Sequence, residues 1–163
     1  DMIFLAGSYS KIEKIAFVPD VLYHYYLRYD SQIHNVNSND VDNFKRYLLE
    51  LKRLYIKENK YDDMKYIIDF MAFLHLGMSV MYRASYDKSI NMKVMLKNTI
   101  KYLDENFSTW RKSPFLKFGY SVKRGLKRIA LSVIAFLYRH HMAGLYIFIY
   151  RFVIDKLKID IKW

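Results

Sequence analysis

The stretch VLYHYYLRYDSQIHN, residues 21–35, concentrates side chains that could do chemistry. It contains four tyrosines, two histidines, an arginine and a serine within fifteen residues. A hydrophobic core does not need this mixture, so we interpret the stretch as a candidate functional site. A guanidinium suits a phosphate because it offers paired donors and a permanent charge. For His24 a structural role is the stronger explanation, because a lone histidine on an alternating strand is more often structural than a ligand.

The elements around this stretch would have to position those side chains. Residues 1–12 have helical apolar spacing, which predicts a short helix. KIAFVPD at 14–20 predicts a short strand that ends at Pro19-Asp20, and VLYHYYLR at 21–28 predicts a second. Two strands do not form a stable sheet alone, so we expect their partners to precede residue 1.

This order of segments resembles the end of the catalytic domain of family 2 glycosyltransferases, which are inverting enzymes of the GT-A fold. In that family a Glu-Asp pair begins a helix, a hydrophobic strand follows, and a loop of the type LYhYRxrxxSI comes next. The resemblance covers about the first 35 residues. The corresponding stretches here are DMIF (1–4), KIAFVPDVLYHYYLR (14–28) and RYDSQIHN (28–35).

The resemblance implies roles for these residues. Asp1 would be the general base that takes the proton from an acceptor hydroxyl. His24, Arg28 and Ser31 would lie near the diphosphate of a nucleotide-sugar donor and near a glycan or lipid-linked acceptor. The donor site and a divalent metal, Mg or Mn, would belong to the preceding half with its Asp-x-Asp motif. This chain would then be a C-terminal portion without a cofactor or metal of its own, inactive alone, from an enzyme of bacterial surface polysaccharide synthesis.

The middle of the chain predicts helices. The polar cluster NVNSND (35–40) precedes an apolar face that begins at Val41, with Ser38 or Asn39 as its cap. A second helix is predicted at about 61–83, after the turn ENKYDD, and a third at about 90–106. The first two predict an antiparallel hairpin, and the methionine-rich stripe of the second predicts packing rather than a cofactor pocket.

The last third of the chain holds almost all of the net charge of +11. Residues 111–163 contain twelve Lys or Arg against two Asp or Glu, whereas residues 1–110 are nearly balanced. At 100° per residue, an apolar arc that includes Phe118, Leu126 and Phe136 lies opposite a basic face. The basic face consists of Lys117, Lys123, Arg124, Lys127 and Arg128.

This pattern is typical of a helix that lies on an anionic membrane surface. Two alternatives are a solvated basic face whose other side packs on the helical hairpin, and a nucleic-acid surface. We consider nucleic acid the weaker partner because no recognised binding motif is present. The longest charge-free apolar runs of this third are too short to span a bilayer. Adjacent His140 and His141 point about 100° apart on a helix and would chelate a metal poorly.

Together these patterns predict a mainly α chain, in which a bundle-like helical extension follows two short strands left from a truncated α/β GT-A domain. The predicted segments are the catalytic-domain end (1–37), a helical domain (38–112) and basic amphipathic helices (113–163). The chain has no cysteine, which excludes disulfides and suits a reducing compartment. We therefore expect a cytoplasmic protein, peripheral at the inner membrane face. The alternative function is a non-catalytic interaction module whose basic end binds a membrane or nucleic acid.

Overall fold

The computed structural model of the chain describes residues 2–24, 26 and 38–157. Within these residues it contains helices and no strand, so the predicted mainly α class is confirmed. Two short 3-10 turns, Trp110–Lys112 and Pro114–Leu116, connect the fourth and fifth helices. The helices are α1 (Met2–Tyr9), α2 (Ser38–Lys57), α3 (Tyr61–Ala84), α4 (Met92–Asn106), α5 (Phe118–Val122), α6 (Leu126–Arg139) and α7 (Ala143–Asp155).

The predicted strands are absent from the described residues, and that prediction was wrong. Residues 14–24 and 26 have no regular structure, and the rest of the second predicted strand lies outside the described residues. The side chain of Phe17 is 93% exposed, and Leu22 and Tyr23 are also exposed. β-branched and aromatic residues favour a strand only where neighbouring strands pack against them. No neighbouring strand is present among the described residues.

The helices α2 and α3 pack against each other across a tight turn. Asn59 adopts a left-handed conformation, φ 55°, and the Lys60 amide donates to the Tyr55 carbonyl at 2.9 Å. α4 begins where the side chain of Asn91 accepts a hydrogen bond from the Val94 amide at 3.2 Å. Such a cap satisfies an amide that has no partner within the helix.

Aromatic rings form the centre of the core. The rings of Phe73 and Trp110 stack at 4.8 Å, and the ring of Tyr138 meets Phe73 edge-on at 5.2 Å. All three side chains are fully buried. One cluster of buried side chains includes residues from both 38–112 and 113–163. The predicted boundaries at residues 37 and 112 stay predictions.

A buried carboxylate fixes the 3-10 turns to α3. Asp69 is fully buried, and its Oδ2 accepts hydrogen bonds from the Thr109 amide at 2.8 Å and the Thr109 hydroxyl at 2.7 Å. Its Oδ1 accepts a third, from the Tyr61 hydroxyl at 3.1 Å. A buried charge is tolerated when such donors replace water. Asp69 therefore determines where the chain turns after α4.

The middle of α3 is wound as a π-helix, Phe73–Val80. Its hydrogen bonds run from residue i to i+5, which leaves carbonyls for other partners. The Tyr138 hydroxyl donates to the Gly77 carbonyl, and the Tyr146 hydroxyl lies 3.5 Å from the Met78 carbonyl. The C-terminal helices thus contact α3 through polar groups as well as through the core.

By length and composition α3 is also the one described helix that could span a bilayer, with a mean hydropathy of 1.3 in its most apolar window. Half of that window is buried inside the protein. The core helix of a protein that spans no membrane passes the same test, and α3 packs against α2 and the 3-10 turns.

Candidate functional site

Most of the residues predicted to do chemistry cannot be placed. Asp1, Arg28 and Ser31 lie outside the described residues. His24 is described, and it is exposed on a segment without regular structure. The expected convergence of Asp1 and Arg28 on one site therefore stays a prediction.

The helix that follows Asp1 is attached to the helical hairpin. The buried Tyr55 hydroxyl donates to the Ala6 carbonyl at 2.7 Å, and the Lys60 ammonium donates to the Ser10 carbonyl at 2.5 Å. A Cβ at Gly7 would lie 3.0 Å from Cδ2 of Leu54, so glycine permits the close approach of α1 to α2. The chain just after Asp1 therefore has a fixed place on the helical part.

An exposed apolar segment follows α1. Its large apolar side chains include Ile15, Phe17, Val21, Leu22, Tyr23 and Tyr26, all of which are exposed. Contiguous exposed apolar surface usually marks an interaction site. We call residues 15–24 and 26 the exposed segment.

The predicted membrane-binding cations lie around a turn rather than on one continuous helix. Residues 123–125 separate α5 from α6, and Gly125 adopts φ 93°, which only glycine adopts readily. Lys123 and Arg124 lie in this turn, Lys127 lies at the start of α6, and Lys117 directly precedes α5; all four are exposed. The prediction of a single helix with one basic face was wrong because the chain breaks between α5 and α6. Residues before Leu126 therefore do not continue the faces of α6.

Two of these arginines also contact aromatic rings. The Arg124 guanidinium lies 3.7 Å from the centroid of the Tyr120 ring, and its Nη1 donates to the Tyr120 carbonyl at 3.2 Å. The Arg128 guanidinium is half-buried and lies 5.9 Å from the centroid of the Phe70 ring. Stacking holds Arg124 in place and leaves its outer edge open to an anion.

α6 has two apolar faces. Its core-facing side chains are Leu131, Ile134, Ala135 and Tyr138, all buried. The arc that the sequence analysis assigned as apolar faces outward: Leu126 is 83% exposed, and Val133 and Phe136 are also exposed. Leu137 of the same arc is half-buried and packs against the core, so the arc is divided between an exposed part and a packed part.

α7 also has an uncovered apolar face. Leu145, Phe148, Ile149 and Phe152 recur at the spacing of one helical stripe, and all four are exposed, Phe148 by 69%. The opposite stripe, Ala143, Tyr146, Ile147 and Tyr150, is buried. We call Leu145, Phe148, Ile149 and Phe152 the α7 outer stripe.

A groove of about 750 Å³ lies between α4 and the start of α7. Aliphatic and thioether side chains form its floor, and lysines on α4 form one edge. The floor consists of Met92, Leu96, Ile100, Ala143 and Ile147, and the edge of Lys93, Lys97 and Lys101. We call it the α4–α7 groove. Sequence analysis did not find it, although the repeat of lysine every fourth residue beside an apolar row was visible.

An ion pair closes one end of this groove. The Asp104 carboxylate accepts two bonds from the Arg111 guanidinium, at 2.7 and 2.8 Å, and one from the Trp110 indole at 2.9 Å. Partial burial favours a higher pKa for Asp104, but the bonds from Arg111 and Trp110 outweigh burial and hold that pKa below its ordinary value. Asp104 is therefore a charged, structural carboxylate.

No group of three or more metal-ligating side chains occurs among the described residues. Comparison with known proteins adds no assignment: no protein-family model, curated protein or solved structure matches the chain.

Proposed function

We propose that this chain is the C-terminal part of an inverting glycosyltransferase that moves a sugar from a nucleotide donor to an acceptor hydroxyl. The observation that carries the proposal is the order of Asp1, the hydrophobic stretch and the aromatic-arginine-serine stretch within 35 residues. In this proposal Asp1 removes the hydroxyl proton as the oxygen attacks the anomeric carbon. Arg28 neutralises the leaving diphosphate.

Two structural features support this assignment. The hydrogen bonds to Ala6 and Ser10 would give α1, the helix that follows the proposed base in the sequence, a rigid attachment, which a positioned proton acceptor needs. The exposed segment offers apolar side chains to a neighbouring surface, as an element at the edge of a catalytic domain would. The divalent metal of such an enzyme does not fit the described residues, so no step is assigned to it.

Variants of the complete enzyme test the proposal. Asp1→Asn should lower kcat at least a hundredfold, because a positioned general base contributes about 10²–10⁴ in rate. Arg28→Ala should also slow transfer. The matched control is Asp20→Asn, which removes an exposed carboxylate from the exposed segment. Unchanged transfer rates in both Asp1→Asn and Arg28→Ala would remove this site.

The second proposed function is attachment to an anionic membrane surface through the C-terminal helices. The α7 outer stripe favours it, because four large apolar side chains face solvent in a region where basic residues outnumber acidic ones by ten. The exposed cations around Gly125 would face anionic headgroups while the apolar stripe enters the headgroup boundary. Each such cation contributes about 1 kcal/mol near an anionic surface.

Vesicle flotation tests whether the α7 outer stripe binds a membrane or is only exposed to solvent. The chain should float with phosphatidylglycerol vesicles and much less with phosphatidylcholine vesicles. Phe148→Gln with Phe152→Gln should abolish flotation, whereas the control Ile56→Gln, at an exposed apolar position of α2, should not. Lys123→Gln with Lys127→Gln should weaken binding about tenfold or more.

Equal flotation with both vesicle types, or full flotation of the double phenylalanine variant, would contradict membrane attachment. Salt-sensitive binding to a DNA duplex without vesicle binding would favour the nucleic-acid alternative instead.

A further inference from the structure

The α4–α7 groove has the size of a small-molecule site. Its volume of about 750 Å³ lies within the roughly 300–1,000 Å³ of ordinary ligand cavities. Between Met92 and Glu105 the α4 axis extends about 20 Å. The groove is therefore long enough for an extended hydrocarbon chain.

We propose that the α4–α7 groove binds one long-chain amphiphile with an anionic headgroup, of the fatty-acid type. The floor supplies the hydrocarbon site: Leu96, Ala143 and Ile147 are buried aliphatic residues, and Met92 and Ile100 continue the row. A polymethylene chain gains free energy from such a floor in proportion to the apolar area that both remove from water.

The charges along the edge determine which headgroup fits and where it lies. Lys93, Lys97 and Lys101 lie on one row of α4. Lys101 is paired with Glu105 at 3.8 Å, whereas Lys93 and Lys97 form no ion pair within the described part of the chain. The two unpaired ammonium groups lie toward the Met92 end. An anionic headgroup therefore binds at that end, away from the carboxylates at the other.

The lining disfavours other ligand classes. The one aromatic ring that lines the groove is the small imidazole of His141, so no Phe, Tyr or Trp offers nucleotide bases a stacking platform there. A cationic amphiphile would place its charge beside the lysine row. Peptides are a weaker fit because the floor offers no backbone edge for a strand and only this one lysine row for an acidic helix.

Gly144 gives a direct way to block the groove without disturbing the fold. It lines the groove, and a Cβ added there meets no atom within 4 Å. A leucine side chain at this position would extend into the space of the ligand. Replacing glycine inside a helix also improves helix propensity, so Gly144→Leu should fold at least as well as the parent chain.

Calorimetry with sodium dodecanoate below its micelle concentration tests the proposal on the 163-residue chain. We expect saturable binding of one dodecanoate per chain and little binding of dodecyltrimethylammonium. Gly144→Leu should weaken binding at least tenfold, because the added side chain displaces several methylene groups. The control Gly119→Leu, at another open helical glycine, should bind normally. Lys93→Gln with Lys97→Gln should weaken binding about three- to tenfold, and Lys112→Gln should not.

Three results would overturn the proposal. They are equal affinity of Gly144→Leu and the parent chain with unchanged helix content by circular dichroism, equal affinity for the cationic amphiphile, and non-saturating uptake of many dodecanoate molecules. Because no vesicle and no sugar transfer enters this assay, its outcome is independent of both proposed functions.

Discussion

Replacing Asp69 by alanine should be among the most destabilising single changes in the helical core. The change removes an acceptor of three hydrogen bonds and leaves the Thr109 amide and hydroxyl without it. A hydrogen bond to a charged group contributes about 1.5–3 kcal/mol, and an unsatisfied buried donor costs about 1–3 kcal/mol. The substitution also removes the desolvation cost of burying the carboxylate, which offsets part of the lost stability. We expect a net loss of about 3 kcal/mol in the free energy of unfolding.

Urea unfolding followed by circular dichroism measures this loss, and a drop in Tm of about 6–12 °C should accompany it. The matched control is Asp63→Ala, an exposed aspartate in the first turn of the same helix, which should cost at most about 1 kcal/mol. A double-mutant cycle with Thr109→Val should give a coupling free energy of about 1–2 kcal/mol. Two results would refute the conclusion that Asp69 holds the turn after α4 in place. They are a loss below about 1 kcal/mol for Asp69→Ala, and equal losses for Asp69→Ala and the control.

Three further outcomes are expected. Gly125→Ala should lower the free energy of unfolding by about 1–3 kcal/mol because φ is 93°, whereas Gly119→Ala, at an open helical position, should be neutral or stabilising by denaturant titration. The lowered pKa of Asp104 gives stability that is present above about pH 4 and is lost as pH falls through the folded-state pKa. The stability difference between the parent chain and Arg111→Gln should therefore shrink as pH falls below about 4, and a constant difference would contradict the ion pair. Tyr55→Phe should increase amide exchange in α1 about tenfold with little change in α4, since it removes the buried bond that attaches α1.

The sequence was sufficient to predict the long helices of the core. The apolar stripe from Met64 to Tyr82 gave the position of α3 almost to the residue, and α4 ends where the pattern ends. These predictions succeed because a helix that buries one face must repeat apolar residues with the helical period. The apolar pattern did not predict the π-helical centre of α3. The Gly77 and Met78 carbonyls of that centre meet hydroxyls from distant helices, and local periodicity does not reveal such contacts.

The predicted strands failed for a reason that also lies in tertiary structure. Val21, Leu22 and Tyr23 have strand propensity, but a strand needs a partner to accept its hydrogen bonds, and none of the described residues supplies one. Local composition alone could not show this.

The C-terminal helices show how far amphipathic periodicity extends. The angular analysis separated apolar from basic residues between Phe118 and Leu137, but it assumed one unbroken helix and a core on the apolar side. Gly125 within the basic run was the available signal for a break. The second apolar face of α6, with Leu131 and Tyr138, was equally visible and decides which side is buried.

The α4–α7 groove could not be predicted from the sequence, because its walls come from α4 and α7, which are far apart in the sequence. Asp69 could have been found: a single carboxylate inside the apolar run KYIIDFMAF must have buried partners if the helix is in a core. Their identity could not be found, since Thr109 is forty residues away.

The hydroxyl groups of Tyr138 and Tyr146 bind α3 carbonyls that precede them by 61 and 68 residues. During translation, the central helix emerges from the ribosome long before these groups exist. The π-helical turn acquires these two partners only after Tyr138 and Tyr146 have been made. A chain that stopped before α6 would therefore keep an unfinished hydrophobic interior around α3, which quality-control proteases can recognise.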